Sequence, residues 1–287
     1  MRLATLRTPA GTRAVRVEED VLVDLGYPDL GALLVDPQWR DLAATRDGEA
    51  LPARGASFAP VVPRPGKVFC VGLNYRNHIL EMGRELPTYP TLFAKFPEAL
   101  IGARDDIQLA PESQEVDWEA ELAVVIGATV RRARGGTAEA AIAGFSVLND
   151  VTMRDWQYRT QMWLQGKTFE ATTPFGPYLV TPDELPGGVR PKLALECRVD
   201  GVVMQSAQTD DLLFDPVALV EYASTIVTLR PGDVIATGTP GGVGHARKPA
   251  VYLAPGSRVV TEIEGLGRAE NTAVAETVAQ PGNARDD

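Results

Sequence analysis

Hydrophobic positions in this chain fall into short runs broken by Gly, Pro and acidic residues, a spacing that suits strands better than long helices. Near the N-terminus, Ala14-Val15-Arg16-Val17 and Val21-Leu22-Val23-Asp24-Leu25 flank the acidic turn Glu18-Glu19-Asp20 and predict two short strands. A helical patch follows over residues 30–44. Then comes the proline-punctuated stretch Pro60-Val61-Val62-Pro63-Arg64-Pro65-Gly66, which marks a boundary. Beyond it, strand signals recur at 67–71, 121–126, 144–148, 178–180, 193–199, 234–236 and 259–263, with helical patches at 74–82, 154–165 and 216–225. Strands outnumber helices and no βα unit repeats, so the pattern predicts an α+β fold, β-rich, with mixed or antiparallel sheets. The expected organisation is a small β-rich unit at 1–65, a larger unit at 66–274 and a polar, small-residue tail at 275–287 that frays.

Composition narrows the function classes. The 287 residues, 45% hydrophobic and 23% charged, suffice for one large globular domain with a small appendage. A formal net charge of −10 argues against nucleic acid as a partner, and an anionic substrate then needs a local positive site. No window approaches the ~18 apolar residues of a membrane span, and the first residues lack the apolar core of a signal peptide. Cys70 and Cys197 are the only cysteines and lack metal-type spacing. The expectation is a soluble cytoplasmic protein in a reducing setting, without a membrane partner.

The chemistry gathers around Asp117-Trp118-Glu119-Ala120-Glu121, which runs into the apolar stretch Leu122-Ala123-Val124-Val125-Ile126-Gly127. Alternate side chains of a strand share a face, so Asp117, Glu119 and Glu121 are expected to point together. Crowded carboxylates repel unless a cation compensates, and a hard divalent metal prefers oxygen ligands. Asn149-Asp150, at the end of another apolar strand, offers a third ligand, with water completing the shell of Mg²⁺ or Mn²⁺. A solvated acidic strand face has the same alternation.

His78 and Glu81 stand at i, i+3 on a predicted helix, where the carboxylate can orient the imidazole as a general base for water. An exposed helix histidine beside an incidental glutamate has the same spacing. Arg154 and Gln157 also share a helix face and can reach a bound anion, although Arg154 can equally pair with Asp155 or Asp150. Lys167 follows Gly166 in a Pro/Gly-punctuated loop and can bind a carboxylate or polarise a carbonyl. The Gly-rich stretch 230–244 carries Thr239 and can cradle an anion, but it fits neither nucleotide-binding glycine pattern. His245 reads as a polar loop residue. Residues 83–89, with a Gly and a Pro directly after His78 and Glu81, suit a lid or a plain surface loop.

Taken in order, the segments 72–81, 90–95, 117–127, 149–157, 166–177 and 229–244 resemble the fumarylacetoacetate hydrolase family. The resemblance implies a roll of mixed sheets with a small N-terminal domain ahead of the catalytic one, assembled as a homodimer. It implies Glu119, Glu121 and Asp150 as metal ligands, with Asp117 supporting them. It places His78 and Glu81 on a water-activating dyad, and Lys167, Gln157 and Thr239 on positions that hold the substrate's carboxylate and oxo groups, with Arg154 nearby. Glu170 and Ser257 depart from the family, each standing where Asp is common.

The implied substrate is a small 2-oxo or 2,4-dioxo acid. The first expectation is hydrolysis of a C–C bond in an acylpyruvate or fumarylpyruvate, the leaving fragment departing as an enolate whose charge the cation and Lys167 stabilise. The alternative on the same metal site is decarboxylation of a 2-oxo acid such as oxaloacetate, or enol or double-bond isomerisation. A ligand-binding protein without activity is the third reading, and the intact His, Glu and Lys set argues against it.

Overall fold

The computed structural model describes residues 1–277, so the expected fraying tail lies, from residue 278 onward, outside the described residues. Two mixed sheets face each other, and the α+β, strand-rich class expected from the sequence holds. The larger sheet has ten strands, in the order Ala50–Pro52, Val21–Asp24, Gly11–Glu18, Arg2–Thr8, Leu179–Val180, Ile142–Asn149, Ala120–Ile126, Val234–Ala236, Val68–Gly72 and Thr91–Lys95. The N-terminal strands extend it through antiparallel pairing of Leu3 with Leu179. Only Val234–Ala236 and Val68–Gly72 run parallel in it. The smaller sheet has five strands, Val202–Gln208, Ala194–Val199, Arg258–Ile263, Gly267–Ala275 and Ile107–Leu109 in order. No helix among the described residues is long and apolar enough to cross a membrane.

The strand Ala120–Ile126 is buried along its whole length, and after Glu121 it is apolar, because both its faces are covered. Leu122, Val124 and Ile126 join the core between the sheets, with Leu195, Cys197, Val259 and Ile263 of the smaller sheet. Ala123 and Val125 point the other way, into a second cluster with Leu30, Leu33, Leu34, Trp39 and Val61. Its neighbour Ile142–Asn149 is equally buried and pairs antiparallel, with Ala120 opposite Asn149 and Leu122 opposite Val147.

All but one of the helical patches come out shorter than their periodicity predicts. The one expected over 30–44 splits into Leu30–Val35 and Trp39–Thr45 because Pro37 cannot continue a helix. Asp29 caps the first piece, its side chain accepting from the Ala32 N–H at 2.8 Å. The patch at 74–82 becomes Arg76–Glu81. The patch at 216–225 becomes Pro216–Ile226, which starts with a proline behind the capping residue Asp215.

The patch at 154–165 is corrected most. It is two single turns, Arg154–Gln157 and Leu164–Lys167, that double back on each other. Gly166 permits this, since a Cβ there would lie 2.4 Å from the Gln157 nitrogen and 2.5 Å from the Met153 carbonyl oxygen. Strands Val202–Gln208 and Gly267–Ala275 lack a strong apolar signal and form because neighbouring strands offer them a ladder.

Gly166→Ala is expected to cost about 1–3 kcal/mol of stability by forcing the two turns apart. A lower denaturant midpoint in chemical unfolding checks this, and an unchanged midpoint would show that the turns separate freely.

Candidate metal centre and its cavity

The register of the two central strands assembles the acidic cluster. With Asn149 opposite Ala120, the next residue, Asp150, comes beside Glu119 and donates its N–H to the Glu119 carbonyl at 2.8 Å. The Asn149 side chain ties the same corner, its Oδ1 accepting from the Glu119 N–H at 2.9 Å and its amide donating to Thr261 Oγ1 at 2.8 Å. Carboxylate oxygens of Glu119, Glu121 and Asp150 then lie within 4.8 Å of one another, and all three residues are buried.

Asp117 does not join them. The strand geometry lapses at Trp118 and Glu119, between Val116–Asp117 and Ala120–Ile126, so the expected single face of three carboxylates is lost. Asp117 turns toward the Gly-rich loop instead. It accepts from the Gly244 N–H at 2.7 Å, the His245 N–H at 3.0 Å and the Arg154 guanidinium at 2.8 Å. It works as the anchor of that loop and of Arg154.

Three buried cations answer the four buried carboxylates. Lys167 Nζ donates to Glu119 Oε2 at 2.7 Å and Asp150 Oδ2 at 2.8 Å. Lys95 Nζ donates to Asp150 Oδ1 at 2.6 Å and the Val151 carbonyl at 3.1 Å. Arg154 bridges Asp117 at 2.8 Å and Glu119 at 2.7 Å and donates to Gln157 Oε1 at 2.9 Å. Burial works against the Lys167 ammonium, but Asp150 and Glu119 outweigh it and hold its pKa above the usual lysine value. Burial likewise opposes the Asp150 carboxylate, and Lys167 and Lys95 outweigh it in turn.

Glu121 is the carboxylate left over. Among the described residues its hydrogen bond comes from the Gly238 N–H at 2.8 Å, and no ion pair reaches it. Burial, then the charges of Asp150 and Glu119, push its carboxyl well above the ordinary range. A divalent cation touching all three residues would cancel that repulsion. An all-oxygen donor set of this size suits a hard cation with water completing its shell.

Above the cluster opens a cavity of about 320 Å³ whose wall includes His78, Glu119, Arg154, Gln157, Lys167 and Thr239. The structure thus brings all but three of the expected site residues to one surface. Glu121 and Asp150 lie beneath it. Glu81 faces a neighbouring cavity that His78 also lines, and no hydrogen bond or ion pair joins His78 to Glu81 among the described residues. Both flank the Gly-rich loop, where a Cβ on Gly241 would lie 3.0 Å from His78 Nδ1 and 3.6 Å from Glu81 Oε2. Burial lowers the pKa of the half-buried His78, against a smaller opposing pull from Glu81.

The Thr239 hydroxyl donates to the Ala120 carbonyl at 3.0 Å and accepts from Gln205 Nε2 at 2.8 Å. Gln205 also accepts from the Ala120 N–H at 2.9 Å, which pins the loop to the metal-side strand. Arg84, in the segment read as a lid or loop, lines the cavity as well.

Sequence reasoning gave no role to Lys95, Gln205 or His245. A lysine closing the mostly apolar run Thr91–Lys95 was the one legible signal, since such a residue is buried only with a partner. Gln205 and His245 become visible only through their three-dimensional neighbours.

The family described as fumarylacetoacetate (FAA) hydrolase C-terminal matches residues 67–274. The mitochondrial oxaloacetate tautomerase FAHD2A of Bos taurus is 48% identical over 219 residues, covering 76% of this chain and 69% of the relative. The Homo sapiens protein of that name is 47% identical over the same shares of both chains. Among solved structures, a fumarylacetoacetate hydrolase from Exiguobacterium antarcticum superposes with a TM-score of 0.85 at 32% identity, over 96% of this chain and all 100% of the other. A 5-carboxymethyl-2-hydroxymuconate delta-isomerase from Mycobacterium smegmatis does so with 0.80 at 31%, over the same shares. Every carboxylate and cation of the buried cluster lies inside the matched span, and the chain belongs to the enzymes of the fumarylacetoacetate hydrolase family.

Proposed function

We propose that the chain is a divalent-metal-dependent tautomerase that interconverts the keto and enol forms of a short 2-oxo dicarboxylic acid of the oxaloacetate type. The observation that carries this reading is the similarity to relatives named oxaloacetate tautomerase, 48% identical over 76% of the chain and spanning the whole acidic cluster. Solved neighbours named as isomerases agree with it. C–C hydrolysis, the first expectation, asks for a His78–Glu81 dyad that activates water, and these two side chains are not hydrogen-bonded to each other. Tautomerisation needs no water and asks less of Glu81.

Mg²⁺ or Mn²⁺ held by Glu119, Glu121 and Asp150 would supply Lewis acidity toward the substrate's 2-oxo and carboxylate oxygens. The chain's own residues do the rest. Lys167 spends two N–H groups on Glu119 and Asp150, and its third is a donor for negative charge growing on the C2 oxygen. The Gln157 amide nitrogen is uncommitted, because Arg154 occupies only Oε1, and it donates to the adjacent carboxylate. His78, kept neutral by burial, takes the C3 proton as the C2=C3 double bond forms and returns a proton to the C2 oxygen. The reverse transfer regenerates the keto acid, so no water is consumed and no carbon bond breaks.

The deciding assay compares chelator-stripped protein with Mg²⁺- or Mn²⁺-loaded protein on enol oxaloacetate, acetylpyruvate and fumarylpyruvate. Metal-dependent decay of the enol, faster than release of CO₂ or cleavage of either dioxo acid, is the expected result. Predominant pyruvate plus the matching acid would return the assignment to hydrolase, and predominant CO₂ would make it a decarboxylase. Glu121→Gln is expected to weaken metal binding by roughly 10- to 100-fold, read by calorimetric titration, because the variant loses the one charge that only the metal neutralises. Activity should also fall on the acid side as His78 becomes protonated. With its pKa lowered, that limb lies below pH about 6.5. His78→Gln is expected to remove the limb from the pH–rate profile and cost roughly 10²- to 10⁴-fold in kcat.

A further inference from the structure

We propose that His245 holds the second carboxylate of the substrate and so makes the site select dicarboxylic over monocarboxylic 2-oxo acids. The inference rests on the tautomerase reading of the same cavity, whose substrate carries one carboxylate at the metal end and another at the far end. That far carboxylate needs a donor the metal cluster does not already use. Lys167 is committed to Glu119 and Asp150, and Arg154 to Asp117, Glu119 and Gln157. With His78 taken up as the base at C3, His245 and Arg84 remain among the cavity's basic side chains. Neither His245 Nε2 nor the Arg84 guanidinium has a hydrogen-bond partner among the described residues.

His245 is the preorganised one of the two. Its backbone N–H donates to Asp117 Oδ2 at 3.0 Å, the same carboxylate that anchors Arg154. Its ring lies 5.3 Å from that of Tyr158 and 6.2 Å from that of Tyr252, and Nδ1 is 2.9 Å from the Tyr252 hydroxyl. With Nδ1 engaged on that side, Nε2 is the ring's remaining polar atom. If the Tyr252 hydroxyl donates to Nδ1, a neutral imidazole carries its proton on Nε2, as a donor for a carboxylate. A doubly protonated ring, with Glu115 Oε2 as counter-charge 4.0 Å from Nδ1, presents the same donor. Both residues are exposed, but Arg84, just after the helix Arg76–Glu81, has no side-chain hydrogen bond among the described residues to hold its longer chain, and it must give up more freedom to bind.

The test uses two stable four-carbon acids that differ only at the far end, L-malate with a carboxylate and (S)-2-hydroxybutyrate with a methyl group. Their affinities for Mn²⁺-loaded protein are measured by titration calorimetry. The wild type is expected to prefer L-malate by at least about tenfold, the scale of one hydrogen bond to a charged group. His245→Leu should bind the two acids within about twofold of each other while binding (S)-2-hydroxybutyrate as the wild type does, which also shows that the variant is folded. His245→Gln should restore part of the preference and Arg84→Met should leave it intact.

Equal binding of the two acids by the wild type, or binding of neither, overturns the proposal. So does a preference that survives in His245→Leu or disappears in Arg84→Met. A preference that depends on His245 in a protein that fails to tautomerise oxaloacetate would overturn the tautomerase reading and leave the carboxylate subsite standing.

Discussion

Everything at this site depends on keeping charge buried. Asp117, Glu119, Glu121 and Asp150 lie out of water, where each ionised carboxylate costs several kcal/mol unless a counter-charge is held against it. Lys95, Arg154 and Lys167 supply three counter-charges, and Glu121 has no ion pair among the described residues. Buried ion pairs of this kind seldom add stability over apolar packing of the same volume. The two-sided apolar strands around them carry the fold.

The cluster and the cavity wall are mechanically one unit. Asp117 accepts from Arg154 and from the end of the Gly-rich loop, so a single carboxylate positions a cation beside Glu119 and the backbone of His245. Gln205 repeats the arrangement from the smaller sheet, linking the Ala120 N–H to Thr239 and Pro240. The doubled-back turns around Gly166 bring Lys167 over Glu119 and Asp150 while Gln157 stays beside Arg154. Contacts of this sort hold the cluster and the cavity wall in one fixed geometry.

Much of this was legible along the chain. The apolar strands at 121–126 and 144–148 declare themselves by composition, and Glu119, Glu121 and Asp150 stand at their ends. Less legible were the polar strands Val202–Gln208 and Gly267–Ala275, whose apolar positions are too few or too small to stand out before a neighbouring strand pairs with them. Helical periodicity over 154–165 also misled, because Arg154 and Gln157 face inward to meet partners rather than to fill a core.

By itself the sequence determined which residue types were available and which strands had to be buried on both faces, because apolar runs and acidic spacings are local properties. It also carried the family resemblance, through motifs that survive in order. Only the tertiary structure decided that Asp117 leaves its expected companions, that Lys95 joins them, and that His245 lines the same cavity as His78. Those placements depend on strand register and on where loops return. Both are set by contacts between residues far apart in the chain, which no local pattern encodes.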